Sequence, residues 1–330
     1  MTTVPLGTQS LSSRVDYKGI RHIDSSMPRA TRDGVSLSYD HERADSDGSS
    51  ETIVFLQGLG FGRWLWRWQR QALSDEYDII APDTRGTGRS DAGLPPLVSR
   101  LPRRLRNPLI SRVAGYSLAG LAADLDAILQ DAGVRHAHLV GADLGGLIAQ
   151  EYALEYTRAA SLTLIGSTHG GPDAAPMPEE TREQLFGAPS GSDRETLRNR
   201  MRPAFSERFT NRNPHLMDRI IEWRREQDAT GAARTAQAAA LTGGSVSDRL
   251  PQLTVPTLVI HGTDDRVSPA TNARLLAERI PNTQLELLEG GSHCVFIEND
   301  DHVATLIRTA LEEGLEAATA VDDMASPRRT

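Results

Sequence analysis

Val140-Gly141-Ala142-Asp143-Leu144-Gly145-Gly146 sets one carboxylate between glycines two residues before and two after it. An apolar run precedes this segment and a helical pattern follows it. Glycines at those places permit a very tight strand-to-helix turn. Such a turn lifts its central side chain above a sheet, and the first amides of the helix point at the same spot. A carboxylate held there can attack a carbon or take a proton from water. Three other segments follow apolar runs in the same way. Leu56-Gln57-Gly58-Leu59-Gly60 offers backbone N–H groups that can stabilise developing negative charge. His261-Gly262-Thr263-Asp264-Asp265-Arg266 offers a carboxylate able to orient a histidine, and Gly290-Gly291-Ser292-His293 offers the histidine.

The elements that must position these groups are legible as a pattern. Residues 35–39 alternate apolar and polar side chains, as a half-exposed strand does. Residues 52–56, 77–81, 137–140, 161–165, 257–260 and 284–288 are short apolar runs suited to buried parallel strands. Between them, Leu118, Leu121, Leu125 and Ile128 share one helix face, as do Ile148, Tyr152 and Tyr156, and then Ala273, Leu276 and Ile280. Alternating strands and helices predict an α/β fold, a mostly parallel sheet with helices on both faces. Residues 170–250 carry no strand run and read as a helical cap, expected between the sixth and seventh strands. The expected organisation is a mobile extension over 1–25, a core over 26–169, the cap over 170–250, core again over 251–315 and a mobile tail over 316–330.

These motifs resemble those of the α/β-hydrolase superfamily over about residues 26–315. Asp83-Thr84-Arg85-Gly86-Thr87-Gly88-Arg89-Ser90-Asp91 is similar to that family's D-x-R-G-x-G-x-S turn. Nucleophile, acid and histidine also come in the family's chain order. The resemblance implies Asp143 as nucleophile, His293 as base, Asp265 as its partner and the backbone amides of Leu59 and Leu144 as substrate-binding oxyanion donors. The spacing to Pro269 favours Asp265 over Asp264. Two positions depart from the family: Gln57 stands where histidine is usual before the glycine, and Asp143 replaces serine. Carboxylate nucleophiles occur in the family's dehalogenases and epoxide hydrolases. The surroundings of Asp143 look more like the serine esterase and lactonase branch. The implied activity is cofactor-independent, metal-free hydrolysis of a small, largely apolar ester, lactone, alkyl halide or epoxide. The alternative is a non-catalytic binder or interaction protein in which Asp143 is only a helix N-cap.

Composition narrows the partners. The 36 basic and 44 acidic residues give a formal net charge of −8, which argues against nucleic-acid binding. The one cysteine, Cys294, excludes an intramolecular disulfide and a cysteine-rich zinc site, and reads as a small buried residue. No apolar run is long enough for stable membrane insertion, and no secretory start is evident, so a cytoplasmic location is expected. Oligomeric state is left open. Residues 99–113 hold five arginines and no acid, either a solvated loop or a basic flap. Trp64, Trp66 and Trp68 read as packing at a helix start, and Trp223 as a candidate for holding halide or an aromatic group. His169 and His261 read as loop and strand-end residues.

Overall fold

The computed structural model describes residues 3–4, 27–45, 51–94, 116–187, 193–229 and 231–325. Its strands are β1 (Thr3–Val4), β2 (Arg29–Arg32), β3 (Val35–Glu42), β4 (Thr52–Leu56), β5 (Asp78–Pro82), β6 (Ala137–Ala142), β7 (Ala159–Ile165), β8 (Thr257–Gly262) and β9 (Thr283–Leu288). They form one sheet in the order β1-β9-β8-β7-β6-β4-β5-β3-β2. Only β3 against β5 and β2 against β3 run antiparallel. Every residue of β4, β5, β6 and β8 is buried, which explains their unbroken apolar runs.

The helices preceding the insertion are α1 (Arg67–Leu73), α2 (Leu118–Asp131) and α3 (Leu144–Glu155). Ser117 starts α2 by accepting a hydrogen bond from the Gly120 amide at 3.0 Å. Leu118, Leu121, Leu125 and Ile128 turn inward along its buried face. Helix α3 is buried from Leu144 through Tyr152, so its sequence shows little amphipathic contrast.

Between β7 and β8 lie α4 (Glu179–Phe186), α5 (Asp193–Met201), α6 (Glu207–Arg212), α7 (Pro214–Gln227) and α8 (Gly231–Gly243). The chain then finishes with α9 (Thr271–Arg279), α10 (Val295–Glu298) and α11 (Asp300–Ala325).

Three expectations need correction. The helical insert falls between the seventh and eighth strands, not the sixth and seventh. Strands β1 and β2 escape the sequence pattern because one has two residues and the other, Arg-Ala-Thr-Arg, buries only its alanine. Within the expected N-terminal extension, Thr3–Val4 pairs in parallel with Leu287 and Leu288 of β9. At the other end α11 continues to Ala325 instead of giving way to a tail at 316. Ala317, Ala318, Ala320 and Ala325 give that stretch high helix propensity. The arginine-rich segment 99–113 lies outside the described residues.

Candidate active site

Asp143 stands at the corner between β6 and α3, with φ 48° and ψ −115°. Positive φ is unusual for a residue with a side chain and costs on the order of 1–3 kcal/mol. The corner is held on several sides. The Asp143 amide donates to Ile165 O at 3.1 Å, and the Ser167 hydroxyl donates to Asp143 O at 2.9 Å. Gly145 is needed for close approach: a Cβ there would stand 2.2 Å from Leu56 O. Gly145→Ala is therefore expected to cost about 3 kcal/mol, because the obstacle is backbone. Thermal unfolding should show a midpoint lowered by several degrees, and an unchanged midpoint would contradict the packing described.

The carboxylate of Asp143 is turned towards the loop after β4. Leu59 N–H donates to its Oδ2 at 2.9 Å, and the nearby Leu144 amide favours the ionised carboxylate. The side chain makes no capping hydrogen bond to the helix it precedes. Gln57, at the position of the family's histidine, donates to Pro82 O and accepts from Thr84 Oγ1. It thereby ties the loop after β4 to the end of β5.

His293 and Asp265 meet as the sequence implied: His293 Nδ1 lies 2.8 Å from Asp265 Oδ2. Asp265 Oδ1 accepts from the amides of Val267 at 2.7 Å and Ser268 at 2.9 Å. A second imidazole is also present, one the sequence reading did not place on this carboxylate. His261 Nε2 is 3.1 Å from Asp265 Oδ2 and 2.7 Å from Ser268 O. The four-residue spacing from His261 to Asp265 was visible, but the strand-end turn that closes it was not. His169 stays a loop residue, its Nδ1 2.7 Å from Gly170 O.

Burial is the largest single influence on each group of this cluster, but it decides the direction only at Asp143. It raises the Asp143 carboxyl above the usual range, while His293 and the amides of Leu59 and Leu144 pull back only in part. Burial also pushes the Asp265 carboxyl up, but His293 and His261 overcome it and hold the group well below its ordinary value. For His293, burial opposes the imidazolium, yet Asp265 and then Asp143 raise its pKa to about 8. A base must be neutral to accept a proton. Activity that depends on His293 should therefore rise roughly tenfold per pH unit below about 8 and level off above it. A profile already flat from pH 6 would contradict this. The raised pKa also stabilises the fold below the ordinary histidine range, and that contribution fades as pH rises through about 8.

The insert is bonded directly to the loop after β4. Gly60 N–H donates to Gln237 Oε1 at 2.7 Å, and Ala229 N–H donates to Gly60 O at 2.9 Å. Asp228 Oδ1 accepts from Gly62 N and Trp64 Nε1 at 3.1 and 2.9 Å. Gln227 O accepts from Gly88 N at 2.8 Å, within the turn after β5. Trp64, Trp66 and Trp68 are buried in packing, Trp66 stacked on Phe296 at 4.7 Å. Trp223 joins them, 6.0 Å from the Trp64 ring and 6.2 Å from Trp68, so its contacts are those of a packing residue. Cys294 is buried. A cavity of about 540 Å³ opens between insert and core at the carboxyl ends of the strands. Asp265 lines it together with Phe205, Glu207, Asp264 and Arg266, but neither Asp143 nor His293 does. Among the described residues, no helix is long and apolar enough to cross a membrane.

Residues 51–300 match the sequence profile of the alpha/beta hydrolase fold. The chain belongs to the α/β-hydrolase fold family. It is 30% identical over 273 residues to the "Putative carbamate hydrolase RutD" of Klebsiella pneumoniae, covering 81% of this chain and 93% of that one. It is 26% identical to 3-oxoadipate enol-lactonase 1 of Acinetobacter baylyi, over 82% of this chain and 91% of the relative. Among solved structures, a hydrolase from Pseudomonas aeruginosa superposes with a TM-score of 0.69 at 25% identity, covering 87% of this chain and 99% of that one. This α/β-hydrolase is thus an enzyme that hydrolyses a small molecule.

Proposed function

We propose that this α/β-hydrolase cleaves a bond from saturated carbon to a leaving group, using Asp143 as a covalent nucleophile. The observation that carries the reading is the Leu59 N–H bond to Asp143 Oδ2. In a serine hydrolase the oxyanion donors await the substrate's carbonyl oxygen. Here a carboxylate oxygen of the enzyme already sits on them, leaving Oδ1 as the attacking atom. Oδ1 would form a C–O bond as the leaving group departs with its electron pair, giving an ester on Asp143. Water would then add to the ester carbonyl of Asp143, losing a proton to His293. The charge that develops on Oδ2 falls on the amides of Leu59 and Leu144. Collapse breaks the acyl C–O bond, and His293 returns the proton to the departing alcohol. Asp265 holds the imidazole orientation throughout. Among saturated-carbon substrates an alkyl halide suits this site better than an epoxide. The span 170–250 contains no tyrosine to protonate an opening epoxide oxygen.

The test is a single turnover in ¹⁸O-water. The mechanism puts the heavy oxygen into Asp143 and an enzyme oxygen into the alcohol. A second reading is favoured by the carbamate hydrolase and enol-lactonase relatives. In it, the substrate is a carbonyl compound and Asp143 activates water without forming an ester. Label in the product and none in Asp143 would favour that reading and defeat the first. A binder in which Asp143 only caps a helix is disfavoured by its missing capping hydrogen bond.

A further inference from the structure

Arg234, on α8, has no acidic partner among the described residues. Its side chain runs along the oxyanion loop: a Cβ placed on Gly60 would stand 3.5 Å from Arg234 Cγ and 3.7 Å from its Nε. Gly60 directly follows Leu59, whose amide holds Asp143. One turn further along α8, Gln237 fixes the helix in place by accepting from Gly60 N–H at 2.7 Å and donating to Arg85 O at 2.9 Å. The guanidinium carbon stands 5.9 Å from the ring of Phe186, a weak contact with a half-exposed side chain.

The neighbouring charges make this arginine costly to leave unpaired. Burial, then Arg224 and Arg200, push its pKa down to about 10, against a partial offset from Asp228. Asp228 is already engaged by Arg224, with Nε to Oδ2 at 2.7 Å. Arg224 in turn lies over the ring of Phe61, 4.9 Å from its centroid. Phe61 packs beside Gly58, where a Cβ would be 3.3 Å from both Phe61 Cδ2 and Asp143 Cβ. The insert therefore brings a surplus of positive charge to the loop that borders Asp143, and one guanidinium there is left over. A single unpaired arginine fork matches one planar monoanion.

We infer that Arg234 holds the carboxylate of an anionic substrate against the oxyanion loop, so that the natural substrate is a small organic acid carrying its reactive carbon next to Asp143. The inference rests on the Asp143 reading for which end of the ligand reacts. Binding measurements test the charge preference without any turnover, so the two can fail separately.

The probes are a series of straight-chain carboxylates and the matching primary amides, titrated calorimetrically into the whole wild-type protein and into Arg234→Met. The wild type is expected to bind the carboxylates about tenfold more tightly than the amides, or better, as a charge-assisted pair in a desolvated site implies. In Arg234→Met that preference should vanish while the amide affinities provide the reference. Absence of carboxylate binding, a wild type without preference, or a preference that survives in Arg234→Met would each overturn the inference. Should the methionine variant fail to fold, Arg234→Lys carries the test. It keeps the charge but loses the two-pronged contact, so the preference should shrink, and an unchanged preference would overturn the assignment. Inorganic phosphate forms a separate arm: tighter binding than every carboxylate would overturn the carboxylate assignment.

Discussion

Asp143→Asn is expected to lower kcat by about 10⁴-fold or more, because the neutral amide cannot form the ester on which every later step depends. The substitution is nearly isosteric, and the amide oxygen can still accept from Leu59 N–H as Oδ2 does. The fold should survive and even gain. Burial disfavours the ionised Asp143 carboxyl in the folded chain, so removing that charge should raise the unfolding midpoint at neutral and higher pH. Loss of turnover together with greater stability separates a reactive group from a structural one. A helix cap lost to asparagine would change stability little, since asparagine caps as well as aspartate does. Mass spectrometry of the residue-143 peptide must accompany the assay, because deamidation restores the aspartate. Retained turnover in material verified as asparagine would defeat the nucleophile assignment.

His293→Gln should separate the two half-reactions. Attack by Asp143 needs no base, so the first bond exchange proceeds. Hydrolysis of the ester needs the imidazole, and its rate should fall by about 10²–10⁴-fold. The expected record is one leaving group released per active site, then near arrest. The intact protein should gain the mass of the substrate's alkyl portion, located on Asp143. Glutamine cannot take up the proton, so the residual rate should also lose its inflection near pH 8. If the variant shows no burst and no added mass, but turns over slowly throughout, then Asp143 acts on water and not on carbon. The carbonyl reading would then take precedence.

Much of this site could be read from the chain because each group follows a buried parallel strand. The runs ending at Leu56, Val140, Ile260 and Leu288 announce β4, β6, β8 and β9. The glycines after them mark where the backbone must turn sharply. Asp265 was favoured over Asp264 by its spacing to Pro269. Its Oδ1 accepts from the amides of Val267 and Ser268, all within one loop.

What escaped the sequence is long-range or short of apolar signal. Strand β2 offers one buried alanine among polar residues, and β1 offers two residues. The Gly60–Gln237 and Gly62–Asp228 bonds join positions far apart in sequence through polar side chains that carry no period. Trp223 was a plausible substrate contact by type, but only its ring neighbours show that it packs on Trp64 and Trp68. The orientation of the Asp143 carboxylate depends on the Leu59 amide across the sheet, so no local pattern could reveal it.

The bonds between residues 227–229 and the loop after β4 have a consequence for ligand entry. In many lidded enzymes the roof swings away while the floor stays still. Here the same peptide stretch is both: Gly60 accepts from the insert through its carbonyl and donates to it through its amide, one residue beyond the Leu59 donor. Hoisting this corner would drag the electrostatic cradle out of alignment, so it acts as a keystone and not as a hinge. A doorway must therefore open along another stretch of the rim, leaving the cradle assembled while guests come and go.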